Sequence, residues 1–240
     1  MMTYSKHVFI DIDDTLYNYE QSNKEALNQT FSYLSKLSGK SLKEISDSYK
    51  ESRSFIKSQL LNTSSSHNKL LHFRKLTEIL ELEISAKTLL ELNDIYWDTF
   101  YTNLSKSNGL KQLFSFFVDN NFKVIFYTDY NLYFQLFKLK KLKLDFFNSI
   151  IYSSEEVGSD KPSTNFKNYI INYAENNINT EDVVYVIGND EKKDIALIKS
   201  VLPCTAFLLV GKTKMKKEYK NIDYIVNNLS EILKIIQTSK

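Results

Sequence analysis

Five short apolar runs, separated by stretches with helical spacing, narrow most sharply what this chain can become. They are residues 7 to 12 (His-Val-Phe-Ile-Asp-Ile), Phe122 to Thr128, Ser149 to Tyr152, Val183 to Gly188 and Cys204 to Val210. Strands buried on both faces read as continuous apolar runs rather than as alternating ones. Leu110, Leu113, Phe114 and Phe117 recur at helical steps between two of the runs, as do Ile195 and Ile198 after another. Strands that alternate with helices predict an α/β fold with a parallel sheet covered on both faces. The first run ends in acids, as a buried strand would if its C-terminal edge faced a site.

The stretch from about 19 to 104 follows another rule. Leu27, Phe31 and Leu34 form one apolar stripe, Leu42, Ile45 and Tyr49 a second, and Leu89, Leu92 and Tyr96 a third, with no strand between them. This spacing predicts an insert of three to five helices, broken by the polar loop Asn62-Thr63-Ser64-Ser65-Ser66. The α/β pattern resumes near Asn108-Gly109.

Composition sets limits on function. With 42% hydrophobic and 25% charged residues in 240, the chain reads as an ordinary soluble globular protein. No apolar stretch approaches the roughly 18 residues of a spanning helix, and the N-terminus turns acidic too early for a signal peptide, so a cytoplasmic protein is expected. A net charge of +2 gives no reason to expect a nucleic acid or membrane partner. The lysine-rich stretches Lys138 to Lys143 and Lys212 to Lys220 are read as solvated faces. The single cysteine, Cys204, is read as a small buried residue rather than a nucleophile.

Four groups of residues carry the candidate chemistry. Asp11-Ile12-Asp13-Asp14-Thr15 follows the first run directly, and the second ends in Thr128-Asp129. Lys161 lies in Gly158-Ser159-Asp160-Lys161-Pro162, just before a helical stretch. The fourth run continues into Gly188-Asn189-Asp190-Glu191-Lys192-Lys193-Asp194, where Asp190 and Asp194 stand four apart and would share a helix face. An acidic turn after a strand is also a helix-capping signal. The ordered set points to a site at one sheet edge.

In this order, each at a strand end or adjoining loop, the four groups resemble the motifs of the haloacid dehalogenase superfamily. The resemblance covers essentially the whole chain, with residues 1–16 and 108–240 similar to its Rossmann-like core and 17–107 similar to a helical cap inserted after the first motif. It implies a Mg²⁺-dependent phosphatase acting on a small phosphorylated metabolite such as a sugar phosphate or nucleotide. By resemblance, Asp11 is the nucleophile that forms an aspartyl-phosphate, Asp13 the general acid and base, and Thr128 and Lys161 the groups that hold phosphoryl oxygens, with Asp129 beside them. Clustered carboxylates need a cation to bind phosphate, and all-oxygen ligation suits Mg²⁺. The implied ligands are the Asp11 side chain, the Asp13 carbonyl and a group from Asn189, Asp190 or Asp194.

Two departures stand out. Many relatives have Gly-Asp where this chain has Gly188-Asn189-Asp190, and Asp190 is the preferred ligand, with the Asn189 amide oxygen the alternative. Asp129 stands where asparagine is frequent and adds negative charge near the phosphate. Within the insert, His72 and Arg74 are candidate substrate contacts, because arginine clamps anions with a planar fork; Tyr17 is a candidate for the mouth of the site. The cap is expected to close over the site on turns near Tyr17 to Tyr19 and at Asn108-Gly109. Rival readings are a phosphomutase on the same core, a non-catalytic phosphometabolite-binding protein, and a dehalogenase, the last disfavoured because Asp13 is retained.

Overall fold

The structure, a computed structural model, describes residues 5–144, 149–210 and 219–238. Its elements run in chain order from β1 (Lys6–Ile10) through α1 (Tyr19–Ser38), α2 (Leu42–Gln59), α3 (Lys69–Ile79) and α4 (Ala86–Thr102) to α5 (Leu110–Asp119) and β2 (Phe122–Thr128). Next come α6 (Leu132–Lys141), β3 (Ser149–Ser153), α7 (Ser154–Val157), α8 (Thr164–Asn177) and β4 (Val183–Gly188). The chain ends with α9 (Ala196–Lys199), β5 (Thr205–Leu209), β6 (Tyr224–Val226) and α10 (Leu229–Thr238). It divides into two compact units, Met1–Asn18 with Lys106–Lys240, and Tyr19–Ser105.

The first unit is a six-stranded sheet in the order β3-β2-β1-β4-β5-β6, and every neighbouring pair is parallel. The α/β expectation is met. On one face Phe9, Ile125, Tyr127 and Val186 pack with Phe166 and Ile170 of α8 and Ile198 of α9. Burying each such side chain is worth roughly 1.5–3 kcal/mol, which fixes the helices to the sheet. α5 packs against β2 and α10. Gly109 precedes α5 at φ +84°, and a Cβ there would lie 2.3 Å from the Ser230 nitrogen, so only glycine fits. The Ser230 amide donates to the Asn108 carbonyl at 3.2 Å. Asn108-Gly109, expected to be a hinge, is thus a packed turn inside this unit.

Helix starts follow their caps. Asn131 accepts from the Tyr133 and Phe134 amides at the head of α6, and Ser163 accepts from the Phe166 amide at the head of α8. The first apolar run yields a strand only as far as Ile10, and β6 was not expected at all. It has three residues, and Tyr224 and Ile225 are exposed, so it carries no apolar run. Residues 212–218 of the second lysine-rich stretch lie outside the described residues.

The second unit contains four α-helices and a 3₁₀ turn, Ser64–His67, among its described residues. α1 packs on α4 and α2 on α3 around Phe31, Tyr49, Phe73, Tyr96 and Phe100. The serine-rich loop forms the 3₁₀ turn and buries Ser64 and Ser66.

Candidate active site

The strand order reverses at β1, which lies between β2 and β4, and a crevice opens beyond the carboxyl ends of strands at such a point. Asp11 follows β1 there, with its amide still bonded to the Ile187 carbonyl of β4 at 3.0 Å. The chain then turns tightly: Leu16 donates to the Ile12 carbonyl at 3.0 Å, and Asp14 adopts φ +59°, a conformation that aspartate tolerates better than most residues. Ser107, where the chain re-enters this unit, pins the turn by bonding the Leu16 and Thr15 carbonyls, each at 2.9 Å.

Asp11 is 5% exposed. One carboxylate oxygen accepts from the Lys161 ammonium at 2.6 Å and the other from the Thr15 hydroxyl at 3.2 Å. Lys161 also donates to Asp194 at 2.7 Å and to the Tyr127 carbonyl at 3.0 Å. Asp194 is buried and accepts from the Asn189 and Asp190 amides at 3.1 and 3.0 Å. A π-helical turn, Glu191–Ile195, directs it inward, and Gly188 is required because a Cβ would lie 2.5 Å from that of Asp194.

Two buried carboxylates thus share one ammonium. Burial, only partly offset by Lys161 and reinforced by the negative charge of Asp194, pushes Asp11 up to about 8, while its two carboxylate neighbours hold Lys161 above the usual lysine range despite burial. The site is short of positive charge and rich in oxygen donors, the environment that a hard divalent cation such as Mg²⁺ completes.

Asp13 has its own partners. Burial alone would raise its carboxyl, but the Lys138 ammonium, at 2.7 and 3.1 Å from its two oxygens, outweighs that and holds it below the usual carboxylate range, helped by Tyr17 and Gln135. The Tyr17 hydroxyl donates to one oxygen, and the Gln135 amide donates to the other at 3.1 Å. Tyr17, expected at the mouth of the site, is fully buried and serves Asp13.

Thr128 ends β2 and is 1% exposed, with its hydroxyl accepting from Gln135 at 2.9 Å. Asp129 turns away from that hydroxyl. Its carboxylate accepts from the Lys161 amide at 2.8 Å and lies 3.4 Å from the Lys193 ammonium, so it braces the Lys161 loop, where it adds no donor for a phosphate. Asp190 is exposed and caps the turn that follows, accepting from the Lys192 and Lys193 amides at 2.9 and 3.0 Å. Asn189 is exposed beside it. Burial pushes the Cys204 thiol up to about 12, which removes it as a nucleophile near neutral pH.

His72 and Arg74 belong to the helical unit. His72 is 1% exposed, and its Nε2 lies 2.9 Å from the Ser66 carbonyl, a placement that serves packing. Arg74 is exposed and pairs with Glu78 at 3.3 Å. Gln135 and Lys138 escape a reading of the sequence. Their one signal is a three-residue spacing on the helix after Thr128, and in Lys138 it is hidden inside a lysine-rich stretch whose other members, Lys140, Lys141 and Lys143, are exposed.

With this geometry in place, the class of protein follows from its relatives. The profile of the haloacid dehalogenase-like hydrolases matches residues 5–201, and the chain belongs to that family. Among curated proteins it is similar to the ribulose-1,5-bisphosphate 5-phosphatase of Halopiger xanaduensis, 24% identical over 190 residues that cover 79% of this chain and 78% of that one. It is also similar to the glyceraldehyde 3-phosphate phosphatase of Methanocaldococcus jannaschii, 32% identical over 103 residues, 43% of this chain and 44% of that one. Among solved structures, the magnesium-bound HAD hydrolase YfnB of Bacillus subtilis shares the fold with a TM-score of 0.68 at 18% identity, covering 98% of this chain and 100% of that one. A HAD phosphatase from Thermococcus onnurineus does so with a TM-score of 0.64 at 22% identity, covering 97% and 98%.

Proposed function

We propose that the protein hydrolyses a small phosphate monoester through an aspartyl-phosphate on Asp11. The observation that carries this reading is Asp11 at the end of β1, ion-paired with Lys161 at 2.6 Å, with a second acid, Asp13, two residues on and open to about a third of its side-chain surface. An Asp11 oxygen attacks phosphorus and the ester P–O bond breaks, with Asp13 giving a proton to the departing alcohol. Asp13 then takes a proton from the water that attacks the aspartyl-phosphate, and inorganic phosphate leaves. In the resting site Lys138 holds Asp13 as the carboxylate that the second step needs; for the first step Asp13 takes a proton from the monoanionic form of the arriving phosphate ester and passes it to the leaving alcohol. Lys161 and the Thr128 hydroxyl hold phosphoryl oxygens.

The carboxylates fit Mg²⁺, which the Asp11 side chain, the Asp13 carbonyl and the Asn189–Asp194 turn would hold, and which when bound supplies charge to the equatorial oxygens. Asp190 is occupied as a helix cap and Asp194 by Lys161 and two amides, so the preference within that turn moves to the Asn189 amide oxygen. Both curated relatives are phosphatases named for short phosphorylated carbohydrates, which supports a substrate of that class. Among the described residues no helix is long and apolar enough to cross a membrane, and the cytoplasmic setting expected from the sequence stays part of the proposal. The test is phosphate release from a panel of phosphorylated metabolites with and without Mg²⁺. Transfer to a sugar without release would favour a mutase, and silence on every ester would end the reading.

A further inference from the structure

We propose that Lys138, with Gln135 one turn before it on α6, is the positioning residue that aims the Asp13 carboxyl at the leaving group. The inference rests on the phosphatase reading and concerns which group makes Asp13 effective.

Lys138 is 1% exposed, while Lys140 and Lys141 at the end of the same helix face solvent. Burying an ammonium is unfavourable unless its charge is matched, and where only space had to be filled a leucine such as Leu139 would serve. The match is Asp13. The ammonium reaches both carboxylate oxygens, at 2.7 and 3.1 Å, and lies 5.9 and 5.7 Å from the ring centres of Tyr17 and Tyr130. These aromatic faces reinforce the pair.

Gln135 adds direction. Its side-chain nitrogen lies 3.1 Å from Asp13, 2.9 Å from the Thr128 hydroxyl and 2.6 Å from the Asp129 carbonyl, three acceptors that share its two hydrogens. One helix face therefore ties the acid of the first motif to the threonine of the second. An aspartate on a surface turn samples several staggered χ1 rotamers. With three contacts from α6 to its two oxygens and a fourth from Tyr17, Asp13 is held in one of them while 30% of its side chain stays open. An ion pair that served only the fold would have no reason to leave its carboxylate accessible beside Asp11.

Lys138→Met keeps the stem and removes the charge. The quantity to measure is kcat/KM for an alkyl phosphate and for p-nitrophenyl phosphate, because it reports transfer to Asp11 before the intermediate is hydrolysed. An activated leaving group needs little proton donation. The alkyl ester should lose roughly 10²-fold, the lower end of the general acid range, while the nitrophenyl ester changes by less than about threefold. A nitrophenol burst should appear, because the water-activating step also slows, and Lys138→Arg should recover part of the alkyl activity. Equal loss on both esters, or no loss on either, overturns the proposal, as does a crystal structure of Lys138→Met with Asp13 in its original rotamer. If Lys138→Met does not fold, Gln135→Leu carries the same leaving-group comparison: a loss confined to the alkyl ester supports the proposal, and an equal loss or none overturns it. A wild-type protein that hydrolyses no ester is a separate result; it removes the phosphatase reading and this inference with it.

Discussion

In the sheet unit the buried ionisable groups satisfy one another across the fold, with Lys161 bonded to Asp11, 150 residues away, to Asp194, 33 away, and Lys138 to Asp13, 125 away. In the helical unit several buried polar groups bond locally, Thr30 to the Ala26 carbonyl at 2.8 Å, Ser52 to that of Tyr49 at 2.9 Å and His72 to that of Ser66, and a longer reach, Ser22 to the Asn103 carbonyl at 2.9 Å, joins uncharged groups. A local bond forms whenever its helix forms. A charge network exists only when the sheet brings distant loops together, and its members leave each other exposed to a large penalty when one is removed. The first arrangement suits packing and the second suits chemistry.

The sharpest way to break this contrast is at the proposed nucleophile. Asp11→Asn should fold, as judged by circular dichroism, and lose on the order of 10⁴-fold or more in turnover, as deletions of covalent nucleophiles do. Near-normal phosphate release from that variant would leave the network without a chemical role. Lys161→Met should act on stability as well. It strands two buried carboxylates, and breaking such a pair costs about 3–5 kcal/mol, readable in urea unfolding. A loss below about 1 kcal/mol would show that the network is solvated and weak.

The helical unit should respond to acid through His72. Burial holds this imidazole down to about 3, with Lys69, Arg53 and His67 adding to the effect against the Ser66 carbonyl. Its Nδ1 is buried without a hydrogen-bond partner. A depressed histidine stays neutral when folded and takes a proton when unfolded, so its contribution is complete above about 6.5 and is lost as pH falls toward its folded value, by roughly 1.4 kcal/mol per unit. Between pH 6.5 and 5 the wild type should therefore lose about 2 kcal/mol more than His72→Phe does. Parallel pH profiles for the two proteins would mean that His72 meets solvent or an anion in solution.

The same contrast decides what could be read from sequence. Apolar runs marked β1 to β5, because strands buried on both faces leave that signature, whereas β6 is too short and too exposed to leave any. The places of Asp11, Thr128 and Lys161 were legible because each lies at or after a strand end or precedes a helix. Lys138 was not: its composition is that of a solvated stretch, and its burial is a consequence of Asp13, 125 residues earlier. His72 and Arg74 were singled out by residue type alone, which carries no information about which face of α3 is packed.

A smaller effect separates the two fourth-motif residues. Asp190→Ala removes a cap and should cost about 1 kcal/mol of stability. Asn189→Ala should leave stability within about 0.5 kcal/mol, as surface changes usually do, yet raise the Mg²⁺ concentration needed for half-maximal turnover more than Asp190→Ala does. The opposite order would return the ligand to Asp190.

The smallest expected change is at Arg74, where side-chain chemistry and position point different ways. Its partner Glu78 is 43% exposed and Arg74 itself 59%, and pairs so open to water contribute between nothing and about 1 kcal/mol. Arg74→Ala should therefore leave urea unfolding within about 0.5 kcal/mol of wild type. Turnover of a small generic ester, which offers the helical unit no second charge, should not change. A natural substrate with an additional anionic group should show a KM raised roughly fivefold, the equivalent of about 1 kcal/mol for one water-exposed hydrogen bond to a charge. If KM for every ester is unchanged, Arg74 is a surface residue and substrate choice in the helical unit lies elsewhere. If both esters suffer equally, Arg74 supports the fold, and the division between a unit proposed to do chemistry and a unit that packs would hold even at an exposed arginine.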